Sequence, residues 1–142
     1  MEKYIFLFAA FGCLGMTTEI FFTALSDLVS ALRSNSRLDY RLKGHSYIWM
    51  FPIYGLAGIL FPLAYDFIAD LPLILRLIIY TTSIFTVEFI TGWLLELCTG
   101  ECPWKYDHKW AVKGYIRLDY APFWMIFGFG IESAYLFLSS LW

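Results

Sequence analysis

The chain has 142 residues, 60% hydrophobic, 21% aromatic and 15% charged, with a net charge of −2. Soluble domains carry about 25% charged residues, so the composition excludes an ordinary water-soluble fold. Four apolar stretches, at about 4–28, 47–69, 71–97 and 120–141, exceed the roughly 18–20 residues that cross a bilayer and lack the polar face of a soluble bundle helix. The expected fold class is an all-α membrane protein, a single four-helix transmembrane domain over 1–142.

In the first stretch Lys3 and the apolar run to Gly12-Cys13 resemble a secretory signal. The apolar character continues to Leu28, past the 7–15-residue core of such signals, so a retained first helix is expected. Its small and polar residues Gly12, Gly15, Glu19, Thr23 and Ser26 recur every three or four positions and share one face. Such a stripe is a helix-packing seam, here with a glutamate in it.

Residues 29–46 are polar and basic, which suits a loop or a short interfacial helix. The second stretch contains Pro52, Gly55, Gly58 and Pro62 and is expected to bend. Asp66, Asp70 and Pro72 mark a short turn into the third stretch, where Thr81, Glu88, Gly92 and Glu96 fall on or near one face. Glu96 lies near the helix end, within reach of water or of a loop cation. Glu88 has apolar residues on both sides, which places it deep in hydrocarbon. The connection 98–119 is dense in Trp and Tyr, which favour the headgroup zone, and residues 115–120 suit a short extended segment. The last stretch carries Trp124, Gly128, Glu132, Tyr135 and Ser139 along one face.

Arg33, Arg37, Arg41 and Lys43 lie in the first connection and Lys105, Lys109, Lys113 and Arg117 in the third, against Lys3 and Arg76 elsewhere. The positive-inside rule then places both long connections, 29–46 and 98–119, in the cytoplasm and both termini outside. Under that topology Cys98 and Cys102 stay reduced. Cys13 packs as a small apolar residue.

The chain also matches itself at a fixed offset. Lys43-Gly44, Pro52, Gly58 and Ala64-Tyr65 return 70 residues later, and Thr17-x-Glu19 returns 69 residues later as Thr86-x-Glu88. This suggests two parallel helix–loop–helix copies that set Glu19 and Glu88 facing each other. A second occurrence of Arg-Leu-Asp-Tyr, at 37–40 and 117–120, is out of that register.

An ionised carboxylate inside a membrane costs on the order of 3 kcal/mol or more unless paired, so intramembrane acids point to function by default. Glu19, Glu88 and Glu132, with Thr17, Thr23, Thr91, Tyr54 and Tyr135 as further oxygen donors, form the candidate polar site for a proton or cation. The competing explanation is a hydrogen-bond network that fixes helix register. Cys98, Cys102 and His108, with His45, can be drawn as a metal site, but the spacing is not a common zinc pattern, and thiols packed at a helix end explain it better. No metal and no cofactor is expected. A Gly-x4-Gly-Lys-Ser/Thr loop is absent, so the chain cannot power ATP-driven transport alone. Nucleic-acid binding has no support.

The segments Thr18-Glu19-Ile-Phe-Phe-Thr-Ala24, Ile53-Tyr-Gly55, Leu75-Arg-Leu-Ile-Ile-Tyr-Thr81, Glu88-Phe-x-Thr-Gly92, Cys102-Pro-Trp-x-Tyr106 and Gly114-x-Ile-x-Leu-x-Tyr-Ala121, with Glu132, follow one another in a familiar order. Together they resemble the transmembrane protein 229 family and the bacterial type IV ABC-transporter proteins, or CmpB-like permeases. The resemblance implies a small four-helix membrane protein whose signature is the Glu-x2-Thr-Gly helix and the Trp-x-Tyr loop. The bacterial loop reads Trp-Asp-Tyr-Ser where this chain has Trp104-Lys105-Tyr106-Asp107, so a role for that acid does not carry over.

Three functions follow as expectations. The first is a permease-like transport component for a cation or small solute, working among membrane lipids as a homo-oligomer or with a partner membrane subunit. The second is a structural accessory subunit. The third is an enzyme acting on a lipid or isoprenoid, with Trp104, Tyr106, Asp107 and His108 in an interfacial loop and Glu96, Glu101, Asp107 or His108 as acid–base groups. That reading requires at least two of those groups in one pocket.

Overall fold

In the computed structural model, which describes residues 1–35, 37 and 39–141, the chain forms α1 (Glu2–Arg33), α2 (Met50–Ile68), α3 (Leu73–Thr99), the strands β1 (Ala111–Val112) and β2 (Ile116–Arg117), a 3-10 turn (Leu118–Tyr120) and α4 (Ala121–Ser139). Leu38 of the first Arg-Leu-Asp-Tyr lies outside the described residues, as does Ser36 in the same connection. All four α-helices are long and apolar enough to cross a membrane, as the sequence predicts. α1 runs five residues past its expected end because the residues after Leu28 include the good helix formers Ala31, Leu32 and Arg33. Pro72 sets the start of α3. Gly100, in the left-handed region at φ 86°, ends it by donating its N–H to the Glu96 carbonyl. Pro122 occupies the first turn of α4, where its missing N–H costs nothing.

Burial is inverted relative to a soluble protein. Leu7 is the one large side chain fully enclosed among the described residues, while Phe21, Phe67, Ile126 and Phe137 face outward. So large an apolar exterior needs lipid around it.

The chain divides into two compact units, Met1–Leu63 and Ala64–Trp142. The boundary falls near the junction of the two sequence copies. In the first unit, the helices meet through glycines. A Cβ on Gly12 would come within 2.8 Å of the Phe51 ring and one on Gly55 within 2.7 Å of Phe8, while one on Gly58 would strike the backbone of Leu7. In the second unit Gly128 of α4 packs on Tyr80 of α3 in the same way, with a Cβ placed 2.6 Å from the Tyr80 Cβ. Each unit therefore brings its two helices together over the early turns of the first, at positions where a larger residue would hold them apart.

The connection 100–120 folds back on α3. Gly92 leaves room for Cys102, Trp104 and Tyr115, whose atoms stand 3.3–3.4 Å from where its Cβ would be. Trp104 Nε1 donates to the Tyr115 carbonyl at 3.2 Å, and the Tyr106 N–H to Gly114 at 2.8 Å. The extended segment expected over 115–120 is confined to Ile116–Arg117, which pairs antiparallel with Ala111–Val112. From Leu118 the chain turns into the 3-10 element that leads to α4.

One labelling pattern follows. Cys98 is exposed at the end of α3, whereas Cys102 is buried and its thiol is pushed up by desolvation. Thiolate is the reacting form. A water-soluble maleimide should modify Cys98 in the folded protein and reach Cys102 only after unfolding, which mass spectrometry of the peptides can read.

Candidate functional site

The three membrane carboxylates have different surroundings. Glu19, on α1, accepts hydrogen bonds at Oε2 from Ser46 Oγ (2.9 Å) and Tyr54 OH (3.2 Å). One turn further along, Thr23 Oγ1 accepts the His45 N–H at 2.9 Å, tying the connection before α2 to α1. Glu88, on α3, accepts a hydrogen bond at Oε1 from Tyr106 OH at 3.0 Å. The loop therefore reaches Glu88, which the sequence left without a polar neighbour.

Helix register explains how. Gly128 lies against Tyr80, and Glu132 is bonded to Tyr80 and Arg76, so α3 and α4 run antiparallel and Ala121 falls level with about residue 87. Tyr106, which holds Glu88, also packs edge-on against Tyr120 at 5.8 Å, just ahead of α4. α4 has 19 residues, about 28 Å, close to the roughly 30 Å hydrocarbon layer. A bilayer fitted to α4 would thus put Glu88 at its loop-side boundary, not at its centre. α3 continues 11 residues past Glu88 to Thr99. Counting along α3 alone gives a deeper position, because α3 is longer than the helix it packs against.

The first unit repeats the plan. Gly58 meets Leu7 while Ser46 meets Glu19, which sets Glu19 level with the chain just ahead of α2. α1 continues 14 residues past it to Arg33.

Glu132 differs. It is buried, with Arg76 Nη2 at 3.0 Å from Oε1 and Arg76 Nε at 3.2 Å from Oε2. Tyr80 OH donates to Oε2 at 2.8 Å and Tyr65 OH lies 3.4 Å from Oε1. The same guanidinium donates to the Ala69 and Leu71 carbonyls at 3.1 Å each. Tyr135 packs edge-on against Tyr65 at 5.4 Å, which places it beside this cluster. From Arg76 to Glu88 is 88 − 76 = 12 residues of α3, about 18 Å of helix, so these two carboxylates of the second unit occupy separate clusters.

Of the other oxygen donors expected, Thr17 and Thr91 bond backbone carbonyls of their own helices, Thr17 to Cys13 at 2.7 Å and Thr91 to Val87 at 2.6 Å. Sequence reasoning did not identify Ser46, Arg76, Tyr80 or Tyr65 as partners of these acids. Arg76 was findable, because an arginine one turn inside an apolar helix demands a counter-ion.

Glu96 meets a loop cation, as its place near the helix end predicts: Lys105 Nζ is at 2.5 Å from Oε1, and Tyr115 OH donates to Oε2. This carboxylate raises the pKa of both partners by hydrogen bonding to their protonated forms. His108 Nδ1 faces Asp119 at 3.9 Å, while Glu101 and Asp107 are exposed. Glu96, Glu101, Asp107 and His108 thus do not gather in one pocket. Among the described residues, no three His, Cys, Asp or Glu side chains are grouped to hold a metal.

The four spanning helices define a multi-pass integral membrane protein. The family model described as "Putative ABC-transporter type IV" matches residues 6–140, and the chain belongs to that family. No solved structure matches it.

Proposed function

We propose that the protein is a permease-like component of a membrane transport system for a cation or small solute, with Glu19 and Glu88 as its polar groups at the loop end and Glu132 held in reserve as a structural ion pair. Family membership supports the transport class. The observation that carries the reading is the shared arrangement of Glu19 and Glu88: each receives hydroxyl donors from the chain that follows its helix. Hydroxyl-held carboxylates at a membrane boundary can take up and release a proton or cation, whereas a carboxylate clamped by a guanidinium has far less freedom to do so. The chain has no nucleotide-binding loop, so energy comes from an ion gradient or a partner subunit. Four helices enclose little volume, and a second copy or a partner completes the path. The lysine and arginine distribution supports a cytoplasmic loop end with both termini outside.

The likeness to the transmembrane protein 229 family belongs to this reading. Its two signature motifs, separate in sequence, support each other: Glu88 accepts from Tyr106, and Gly92 makes room for Cys102 and Trp104.

The test is flux into proteoliposomes under an imposed Na⁺ or K⁺ gradient, with entrapped pyranine reporting protons. Glu19→Gln and Glu88→Gln should each lower flux at least tenfold, the order of loss expected for an essential charged group, about 1.4 kcal/mol or more. Helicity and elution volume should be unchanged. Full flux in both variants would remove the carboxylates from the mechanism. The accessory-subunit reading draws on the Arg76–Glu132 cluster, which joins the end of α2, α3 and α4. It predicts lost assembly, with no flux to lose.

A further inference from the structure

An open cleft of about 500 Å³ is lined by Phe89, Trp93, Lys113 and Tyr115. Its volume falls in the range of small-ligand sites, and its composition is three aromatic rings and one cation. Phe89 and Trp93 lie one and five residues past Glu88 on the part of α3 that extends beyond α4, at headgroup depth for a bilayer fitted to α4. Trp93 is half exposed, as a residue facing the membrane–water boundary would be.

Lys113 is held there by an uncommon backbone. Lys113 and Gly114 have φ of 53° and 81°, and the Tyr115 N–H donates to the Val112 carbonyl at 3.1 Å, so the β1–β2 connection is a type I′ turn. Both central positions of that turn favour asparagine, aspartate or glycine. A lysine at the first of them costs stability, and a residue kept in such a conformation points to a use for its side chain. Glu96 of α3, which accepts from the cleft-lining Tyr115, is already engaged by Lys105. The Lys113 side chain forms no hydrogen bond or ion pair among the described residues, which leaves its charge available at the cleft.

We propose that this cleft seats an anionic phospholipid of the loop-side leaflet, with its phosphate on Lys113 Nζ and its glycerol and first acyl carbons against Phe89, Trp93 and Tyr115. Charge complementarity selects the headgroup, and the aromatic walls select an occupant that is amphiphilic. The proposal is independent of whether Glu19 and Glu88 carry a transported ion.

The experiment is titration of the full-length protein in detergent with phosphatidylglycerol and, separately, phosphatidylcholine, read by native mass spectrometry. The wild type should prefer phosphatidylglycerol by roughly fivefold, the contribution of one lysine at an anionic surface. Lys113→Asn should abolish the preference while folding at least as stably, because asparagine suits the turn. Lys109→Asn, which removes a loop lysine lying over Trp110, should leave the preference intact. Equal affinity for the two lipids in the wild type, a preference that survives Lys113→Asn, or one lost equally in Lys109→Asn overturns the proposal. Displacement of the lipid by millimolar inorganic phosphate would also overturn it, by showing a site for a soluble anion.

Discussion

Replacing Arg76 with Met should destabilise the second unit by about 3–5 kcal/mol, the cost of leaving one member of a buried ion pair behind. The arginine side chain is 19% exposed and that of Glu132 5%, so water cannot take over the role of the guanidinium. Two backbone carbonyls, of Ala69 and Leu71, lose their donor at the same time. The double variant Arg76→Met/Glu132→Leu should recover most of the loss, since an apolar pair of similar volume is often as stable as a buried salt bridge. Reversible unfolding in mixed micelles measures both. A single variant less than 1 kcal/mol below the wild type would mean that the pair is solvated. If the double variant also retains flux, Glu132 is structural and the transport reading rests on Glu19 and Glu88 alone.

Gly58→Ala, at the crossing of α1 and α2, should cost about 1–3 kcal/mol or more. The new Cβ would meet the carbonyl of Leu7 and lie 3.0 Å from the Phe8 nitrogen. Those are backbone atoms of α1 and cannot rotate away, so α1 and α2 have to separate. Gly130→Ala is the control. Nothing lies within 4 Å of its Cβ, and in a helix alanine gains about 0.5–1 kcal/mol over glycine. Thermal unfolding of the two variants should therefore move in opposite directions, and equal losses would refute the packing argument.

The spans were legible because about 20 apolar residues in a row admit few alternatives. The glycine stripe of α1 was legible too, since Gly12 and Gly15 are spaced to share a face. The partner of Glu132 was not. Arg76 lies 56 residues away; an arginine in an apolar helix demands a counter-ion, but nothing in the sequence says which acid supplies it. The donor to Glu88 was hidden for a different reason. Tyr106 reaches it only because the connection folds back over Gly92, a tertiary event with no periodicity to announce it. The depth of Glu88 depends on which helix sets the frame: centred on α3 it lies mid-span, whereas a bilayer fitted to the shorter α4 brings it to the loop-side boundary. Thr91 illustrates a further limit: a threonine within a helix commonly spends its hydroxyl on the preceding turn, and this one does.

The position of the Arg76–Glu132 pair also bears on how the chain enters the membrane. Arg76 is synthesised 56 residues before its partner and sits in the first turn of α3, where a long side chain can keep its charged head at the headgroup surface while it waits. Glu132 is seven residues from the end of α4, about 10 Å in, and a short acidic side chain has no such reach. The more tolerant ion arrives first. Its counterpart then enters a bilayer that already holds a countercharge, so the order of residues along the chain should lower the barrier to inserting the last helix.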